Sequence, residues 1–89
     1  MNIVYVLVEL YTFEFATDYR VSLYSNRDKA AEAFYYKVKR EKEDSWIAST
    51  PEGVLIENYD EDRLEYDAYE DGNAAEFETT IVVLEKEVF

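Results

Sequence analysis

The residues of this chain that could do chemistry are carboxylates, and ten of them lie within the 22 residues 57–78, which we call the acidic stretch. The only cation there is Arg63, so the acidic stretch contributes −9 of the formal net charge of −12. Its carboxylates are Glu57, Asp60, Glu61, Asp62, Glu65, Asp67, Glu70, Asp71, Glu76 and Glu78. Carboxylates at this density can act as a general acid and base, ligate a metal ion, or attract a basic partner.

Catalysis is the least supported of these three uses. The chain has no His and no Cys, so the commonest proton shuttle and the best thiol nucleophile are both missing. Paired carboxylates alone serve glycosidases and metal-dependent nucleases, but those chemistries need a cleft, and a small domain with one sheet has little depth for one. We therefore expect no enzyme, no catalytic residue and no cofactor.

Metal binding rests on one partial pattern. Asp67, Asp71, Gly72 and Glu78 stand at the first, fifth, sixth and twelfth positions of a calcium-binding loop. Tyr69 occupies the third position, which needs an oxygen ligand, and the residues that follow are typical of a strand rather than a helix. We interpret the pattern as coincidental and expect no metal ligands.

Composition places the chain among small folded domains. Of its 89 residues, 48% are apolar and 17% aromatic, too many for a disordered acidic tail, and we expect one domain over residues 1–89. The absence of Cys and of a positively charged apolar leader leads us to expect a cytoplasmic protein. Its negative charge repels nucleic acids and anionic membranes, so the expected partner is a basic protein surface.

Apolar and β-branched residues predict the elements of the first half. Residues 2–15 read as a strand that is apolar on both faces over residues 3–8, which favours an interior place in a sheet. We expect a turn at 16–18 and a second strand at 19–25. Ala30, Phe34 and Val38 recur every four residues and predict a helix over about 25–44, opened by a capping box of Ser25 and Asp28.

The second half predicts three more strands. Residues 54–59 read as a short strand, residues 63–70 alternate with Leu64, Tyr66 and Ala68 on one face, and residues 74–88 form the last strand. Asp71-Gly72 between the last two predicts a two-residue hairpin loop. The expected fold is α+β in ββαβββ order: an antiparallel sheet of four to five strands with the single helix packed on one face.

The hairpin predicts a wall of carboxylates. A two-residue loop at Asp71-Gly72 pairs Tyr66 with Phe77 and Ala68 with Ala75 on the core face, and it pairs Asp67 with Glu76 and Glu65 with Glu78 on the other. Like charges directly opposite each other destabilise a sheet by up to about 1 kcal/mol per pair, a cost that a cationic partner would relieve. The predicted partner-binding residues are Tyr59, Asp60, Glu61, Asp62, Glu65, Asp67, Tyr69, Glu70, Asp71, Glu76 and Glu78, with both tyrosines exposed at the contact.

A second interpretation of the same residues stays open. The acidity can serve solubility alone, and the protein would then be a small interaction or assembly module that binds through exposed Tyr residues or a sheet edge. The sequence leaves the oligomeric state and the identity of the partner undetermined.

The layout also resembles a known group of proteins. A hairpin followed by the helix opening SNRDKAAEAF and then by a carboxylate-rich YEDGN hairpin that ends in LEKEV is similar to small proteins encoded by bacteriophages and other mobile elements. That group includes inhibitors of host defence, among them anti-CRISPR proteins and DNA mimics that block restriction enzymes. The resemblance implies a non-catalytic inhibitor that occupies the DNA-binding groove of a host defence nuclease.

Overall fold

Five antiparallel strands and one helix follow one another in the predicted ββαβββ order. The computed structural model describes residues 2–13, 16–44, 55–70 and 77–88. Its elements are β1 (Asn2–Phe13), β2 (Ala16–Tyr24), α1 (Arg27–Asp44), β3 (Leu55–Asp60), β4 (Glu65–Glu70) and β5 (Phe77–Val88). The five strands form one sheet, so the expected α+β fold is confirmed.

Strand order in the sheet is β2-β1-β5-β4-β3. The two 12-residue strands, β1 and β5, lie inside the sheet, as their content of Val, Ile and Leu favours. The expected interior place of the first strand is therefore confirmed. Among the described strands, β2 and β3 form the two edges.

The helix packs on the sheet through a small apolar core. Phe34 and Val38 of α1 are fully buried, and they lie against a cluster that includes Leu7 of β1, Ile81 of β5 and Tyr66 of β4. Aromatic edges add to this contact, since the Phe34 ring centroid lies 6.0 Å from that of Tyr59 in a T-shaped arrangement. The four-residue apolar spacing of the helix thus faces the sheet as expected.

The helix begins two residues later than predicted. The Asn26 side-chain oxygen accepts a hydrogen bond of 2.8 Å from the backbone N–H of Lys29, which is the bond an N-cap residue makes. The capping box predicted at Ser25 and Asp28 is therefore wrong, because the oxygen that caps the helix belongs to Asn26, one position further on.

Two strand boundaries also differ from the prediction. Residues 16–18, expected as a turn, belong to β2, where Ala16 is already paired with Phe13. Residues 61–64, whose last two were assigned to a strand, form a turn in which Leu64 has a positive φ of 57°. Leu64 is nevertheless buried, and its carbonyl accepts a bond of 3.0 Å from the N–H of Val83, so packing offsets the backbone strain.

The pairing of β4 with β5 departs most from the prediction. Tyr66 lies opposite Ile81 rather than Phe77, and Asp67 lies opposite Thr80 rather than Glu76. The last described pair is Tyr69 with Glu78, so the predicted β4–β5 register is wrong, and the predicted loop at Asp71-Gly72 lies outside the described residues. The predicted and observed registers differ by an even number of residues, so each side chain keeps its predicted face.

The sheet therefore has two faces of different character. The helix covers one face, which we call the helix face. The other, the open face, has no helix against it in the described part of the chain. Rows of side chains cross the open face from β2 to β3, and these rows position the candidate site.

Candidate functional site

The two central rows of the open face run from apolar residues on β2 and β1 to acidic residues on β4. One row contains Val21, Val8, Val82, Glu65 and Asp60, in the order β2, β1, β5, β4, β3. The next contains Tyr19, Leu10, Thr80, Asp67 and Asn58, and the third ends with Glu78, Tyr69 and Ile56. We call Asp60, Glu65, Asp67 and Glu78 the acidic half of the open face.

A shallow concavity of about 550 Å³ lies at the acidic half. Among the residues that line it are four of the predicted site residues, Tyr59, Asp60, Glu65 and Asp67, together with Thr80 and Val82. Thr80 and Val82 were not predicted as site residues. The wrong β4–β5 register hid them, because it placed carboxylates where these two residues lie.

Asp67 and Glu78, which are neighbours on the open face, differ in their hydrogen-bond partners. The Thr80 hydroxyl donates a bond of 2.9 Å to Oδ1 of Asp67. Burial raises the pKa of the Glu78 carboxyl above its ordinary value, and its hydrogen bond to Asp67 and the negative charge of Asp67 raise that pKa further. The carboxyls of Glu78 and Asp67 are thus direct neighbours on the open face.

The acids of the acidic half have few cationic neighbours. Within the described ranges, ion pairs join Lys37 to Glu9, Lys42 to Glu57 and Arg63 to Asp60. In the same ranges no ion pair reaches Glu65, Asp67 or Glu78. These three carboxylates therefore present net negative charge to any approaching surface.

Asp60 serves the fold as well as the surface. Its Oδ1 accepts hydrogen bonds from the backbone N–H groups of Asp62, at 3.1 Å, and Arg63, at 3.0 Å. Its other oxygen lies 3.7 Å from Nε of Arg63. These are the bonds of an Asx turn, so this carboxylate is partly satisfied by its own loop.

Glu61 and Asp62 are exposed in the turn at residues 61–64. Their carbonyl groups are bound to the helix, since the Tyr35 hydroxyl donates to the Glu61 carbonyl at 3.3 Å and Arg27 Nη2 donates to the Asp62 carbonyl at 2.8 Å. The backbone of the turn is thereby held in place at one end of the acidic half.

The two predicted contact tyrosines lie on opposite faces. Tyr69 is half-buried on the open face, in the row of Glu78. Tyr59 pairs with Tyr66 on the helix face and is also half-buried, with Nζ of Lys42 4.7 Å from its ring centroid. The expectation that both are exposed is wrong, because the alternation of β3 turns Tyr59 toward the core.

Glu57, another member of the acidic stretch, also lies on the helix face. It accepts a hydrogen bond of 2.8 Å from the Tyr66 hydroxyl and pairs with Lys42 at 3.5 Å. Burial, followed by this bond to Glu57, raises the pKa of Tyr66 well above its ordinary value. Glu57 is thus part of a local network and not of the open face.

Three predicted site residues remain without a described side chain. Glu70 ends β4, but its side chain lies outside the described residues, and so do Asp71 and Glu76. The loop part of the calcium pattern, including Gly72, also falls there. Among the described residues, no group of three or more acidic side chains is arranged to hold a metal ion.

The apolar side of the open face was not among the predicted features. Tyr19, Val21 and Leu23 of β2 are 68%, 54% and 68% exposed. The signal was present in the run of apolar residues on both faces of β1, since such a strand needs cover on two sides.

No helix among the described residues is long and apolar enough to cross a membrane. Comparison of the chain with protein-family models, with curated proteins and with solved structures finds no match in any of the three.

Proposed function

We propose that this protein is a non-catalytic inhibitor whose acidic half mimics nucleic-acid phosphates and docks on the basic groove of a host defence nuclease, of the kind blocked by anti-CRISPR or anti-restriction proteins. The observation that carries the proposal is the grouping of Glu65, Asp67 and Glu78 on one face of the sheet, without an ion pair among the described residues. The turn acids Asp60, Glu61 and Asp62 extend this charge toward one end.

Sheet geometry supports the mimicry. Side chains on one face repeat at about 6.6 Å along a strand and at about 4.8 Å between strands. These spacings are comparable to those of phosphates along a nucleic-acid strand. Lys and Arg side chains of a nucleic-acid groove would therefore meet carboxylates where they otherwise meet phosphates, and long-range attraction would speed association.

The raised pKa of Glu78 supports the same proposal from the energetic side. Burial, followed by the neighbouring Asp67, raises the pKa of the Glu78 carboxyl, so its ionised form costs free energy when the protein is alone. A cationic side chain placed near both groups would offset part of that cost and lower the pKa of Glu78.

The test is displacement of DNA from a nuclease. A fluorescent DNA duplex is bound to restriction endonucleases and CRISPR effectors of candidate hosts, and this protein is titrated against each complex. We expect displacement by the wild-type chain that weakens steeply as salt concentration rises. The triple variant Glu65→Gln, Asp67→Asn, Glu78→Gln should lose about tenfold or more in affinity.

A matched control separates the acidic half from bulk charge. Glu32→Gln, Glu43→Gln, Glu87→Gln changes the net charge by the same amount at exposed positions elsewhere and should displace DNA nearly as well as the wild type. An equal loss of affinity in both triple variants would show that net charge alone causes the effect. Full activity of the first variant would exclude the acidic half as the docking surface, and a nearly salt-independent complex would favour an interaction module that binds through apolar residues.

A further inference from the structure

The open face carries a second feature that the acidic half does not explain. Its apolar side spans three adjacent strands, β2, β1 and β5, and we call it the apolar half. It comprises Val6, Val8, Leu10, Tyr19, Val21, Leu23, Val82 and Leu84. Leu23 and Tyr19 are both 68% exposed and Leu84 is 41% exposed, which is unusual for a contiguous patch on a soluble domain.

Charge is nearly excluded from this area. On the open face of β1 the described side chains are Asn2, Val4, Val6, Val8, Leu10 and Thr12, and on that of β2 they are Thr17, Tyr19, Val21 and Leu23. None of these is charged, in a chain whose net charge is −12. On the open face of β5, Val82 and Leu84 lie between Thr80 and the single cation Lys86, which is paired with Val4 at the border of the patch. A surface that docked on a basic partner would gain from acids here, whereas a surface that meets its own copy must keep them out.

We propose that the apolar half is the interface of a homodimer in which two copies pack their sheets face to face. Sheets of this kind stack about 10 Å apart with their strands nearly aligned. The helix already covers the other face of the sheet through Phe34 and Val38, so pairing of the open faces would complete a four-layer helix–sheet–sheet–helix assembly.

The position of the acids selects one geometry. A two-fold axis that brings two open faces together must lie between the two sheets. It can run across the strands, perpendicular to them, or along the strands, parallel to them. An axis across the strands stacks β4 on the partner's β4 and opposes the two sets of Asp67 and Glu65. An axis along β1 stacks β1 on its own copy and β2 on β5, so that Val21 and Leu23 meet Val82 and Leu84. That second arrangement places the acidic halves on opposite flanks, where they do not repel each other.

The area is sufficient for a specific dimer. Five of its eight residues are between 38% and 68% exposed, namely Leu10, Tyr19, Val21, Leu23 and Leu84. At roughly 200 Å² of surface for each large side chain, they offer on the order of 500 Å² per copy, so the dimer would bury about 1,000 Å², near the lower bound for a specific interface. An isologous two-fold contact of this type is also the commonest form of protein self-association.

Sedimentation equilibrium of the purified chain over the micromolar range tests the proposal. We expect a monomer–dimer equilibrium for the wild type and a dissociation constant raised about tenfold or more in Leu23→Glu. Val21→Thr, which keeps a β-branched side chain on an exposed position of the edge strand, should weaken the dimer without disturbing the fold. Tyr36→Glu is the matched control, because Tyr36 is 58% exposed but lies on the helix, and it should dimerise like the wild type.

Cross-linking tests the geometry independently. The chain has no cysteine, so Val6→Cys and Val8→Cys each introduce a single thiol on β1 near the inferred axis. Because the two sheets lie about 10 Å apart, the paired thiols are too distant for a direct disulfide. A bis-maleimide reagent that spans this distance should link at least one of these two variants into a dimer, whereas it should not link Tyr36→Cys.

Three results would overturn the proposal. The first is a wild-type monomer throughout the concentration range, which would leave the apolar half to a segment outside the described residues or to a different protein. The second is a dimer that Leu23→Glu and Val21→Thr leave intact, which would point to edge pairing through β2 instead. The third is equal cross-linking of the Tyr36→Cys control.

Discussion

The Thr80 hydroxyl donates a hydrogen bond of 2.9 Å to the Asp67 carboxylate across the β4–β5 pair. This bond gives Asp67 a neutral hydrogen-bond donor on the open face. The carboxyl of Glu78 is another neighbour of Asp67 there. Thr80→Val removes the hydroxyl and keeps the shape and the strand propensity of the side chain. We expect the free energy of unfolding in urea to fall by about 1 kcal/mol, the typical loss for a bond to a charged acceptor that is partly buried.

Thr80→Ser is the control for that change, because it keeps the donor. It should cost clearly less than Thr80→Val if the hydrogen bond matters. An equal loss in the two variants would assign the effect to the methyl group and not to the bond.

Replacing Glu78 tests the electrostatic cost of the acidic half. The pKa of Glu78 is raised in the folded state, so its protonated form is favoured by folding. The stability this provides is complete below the unfolded pKa of about 4.3 and is lost as the pH rises through the folded pKa. Glu78→Gln should therefore be more stable than the wild type at pH 7, by less than about 1 kcal/mol.

The pH dependence checks the sign of this effect. Urea unfolding of both proteins between acid and neutral pH should show the advantage of Glu78→Gln shrinking as the pH falls. Glu87→Gln, an exposed change on the same strand, should show a much smaller difference. A wild type that is more stable than Glu78→Gln at neutral pH would contradict the assignment.

The pair formed by Glu9 and Lys37 is the most buried ionic contact in the described residues. Glu9 is 2% exposed, and its Oε1 lies 3.6 Å from Nζ of Lys37 and accepts a bond of 2.6 Å from the Tyr11 hydroxyl. Lys37→Met would leave a buried carboxylate without its cation. We expect a loss of about 1 to 3 kcal/mol, less than for a fully buried pair because Lys37 is partly exposed.

A double-mutant cycle identifies the source of that loss. Adding Glu9→Gln to Lys37→Met removes the stranded charge and should recover part of the stability. Lys39→Met, on an exposed position of the same helix, should be nearly neutral. Purely additive single and double changes would show that the two side chains do not interact.

Asp60 belongs to the acidic half and also holds the turn that leads to β4. Its Oδ1 accepts two backbone N–H bonds in the turn that leads to β4. Asp60→Ala should lower the unfolding free energy by about 1 kcal/mol, whereas Asp60→Asn keeps the acceptor and should cost only a fraction of that. If Asp60→Asn destabilises as much as Asp60→Ala, the negative charge and its pairing with Arg63 matter more than the turn bonds.

The local sequence pattern was sufficient to predict the helix, the strands and the face on which each side chain lies. The spacing of Ala30, Phe34 and Val38 predicts the helix and its buried side, and the alternation of Leu64, Tyr66 and Ala68 predicts their burial, because both depend only on the geometry of the helix and of the pleat. The same alternation placed Glu65, Asp67 and Glu78 on one face even though the predicted β4–β5 register was wrong, since an even shift in register preserves the face.

Tertiary structure decided the partners of those side chains. The pairing of Asp67 with Thr80 instead of Glu76 depends on which register best packs Ile81 against Tyr66 and the helix, and that is a property of the whole core. The separation of the open face into an apolar and an acidic half follows from the strand order β2-β1-β5-β4-β3. That order brings Val21 and Val82 together across β1, and residues so far apart in the chain become neighbours only when the sheet forms.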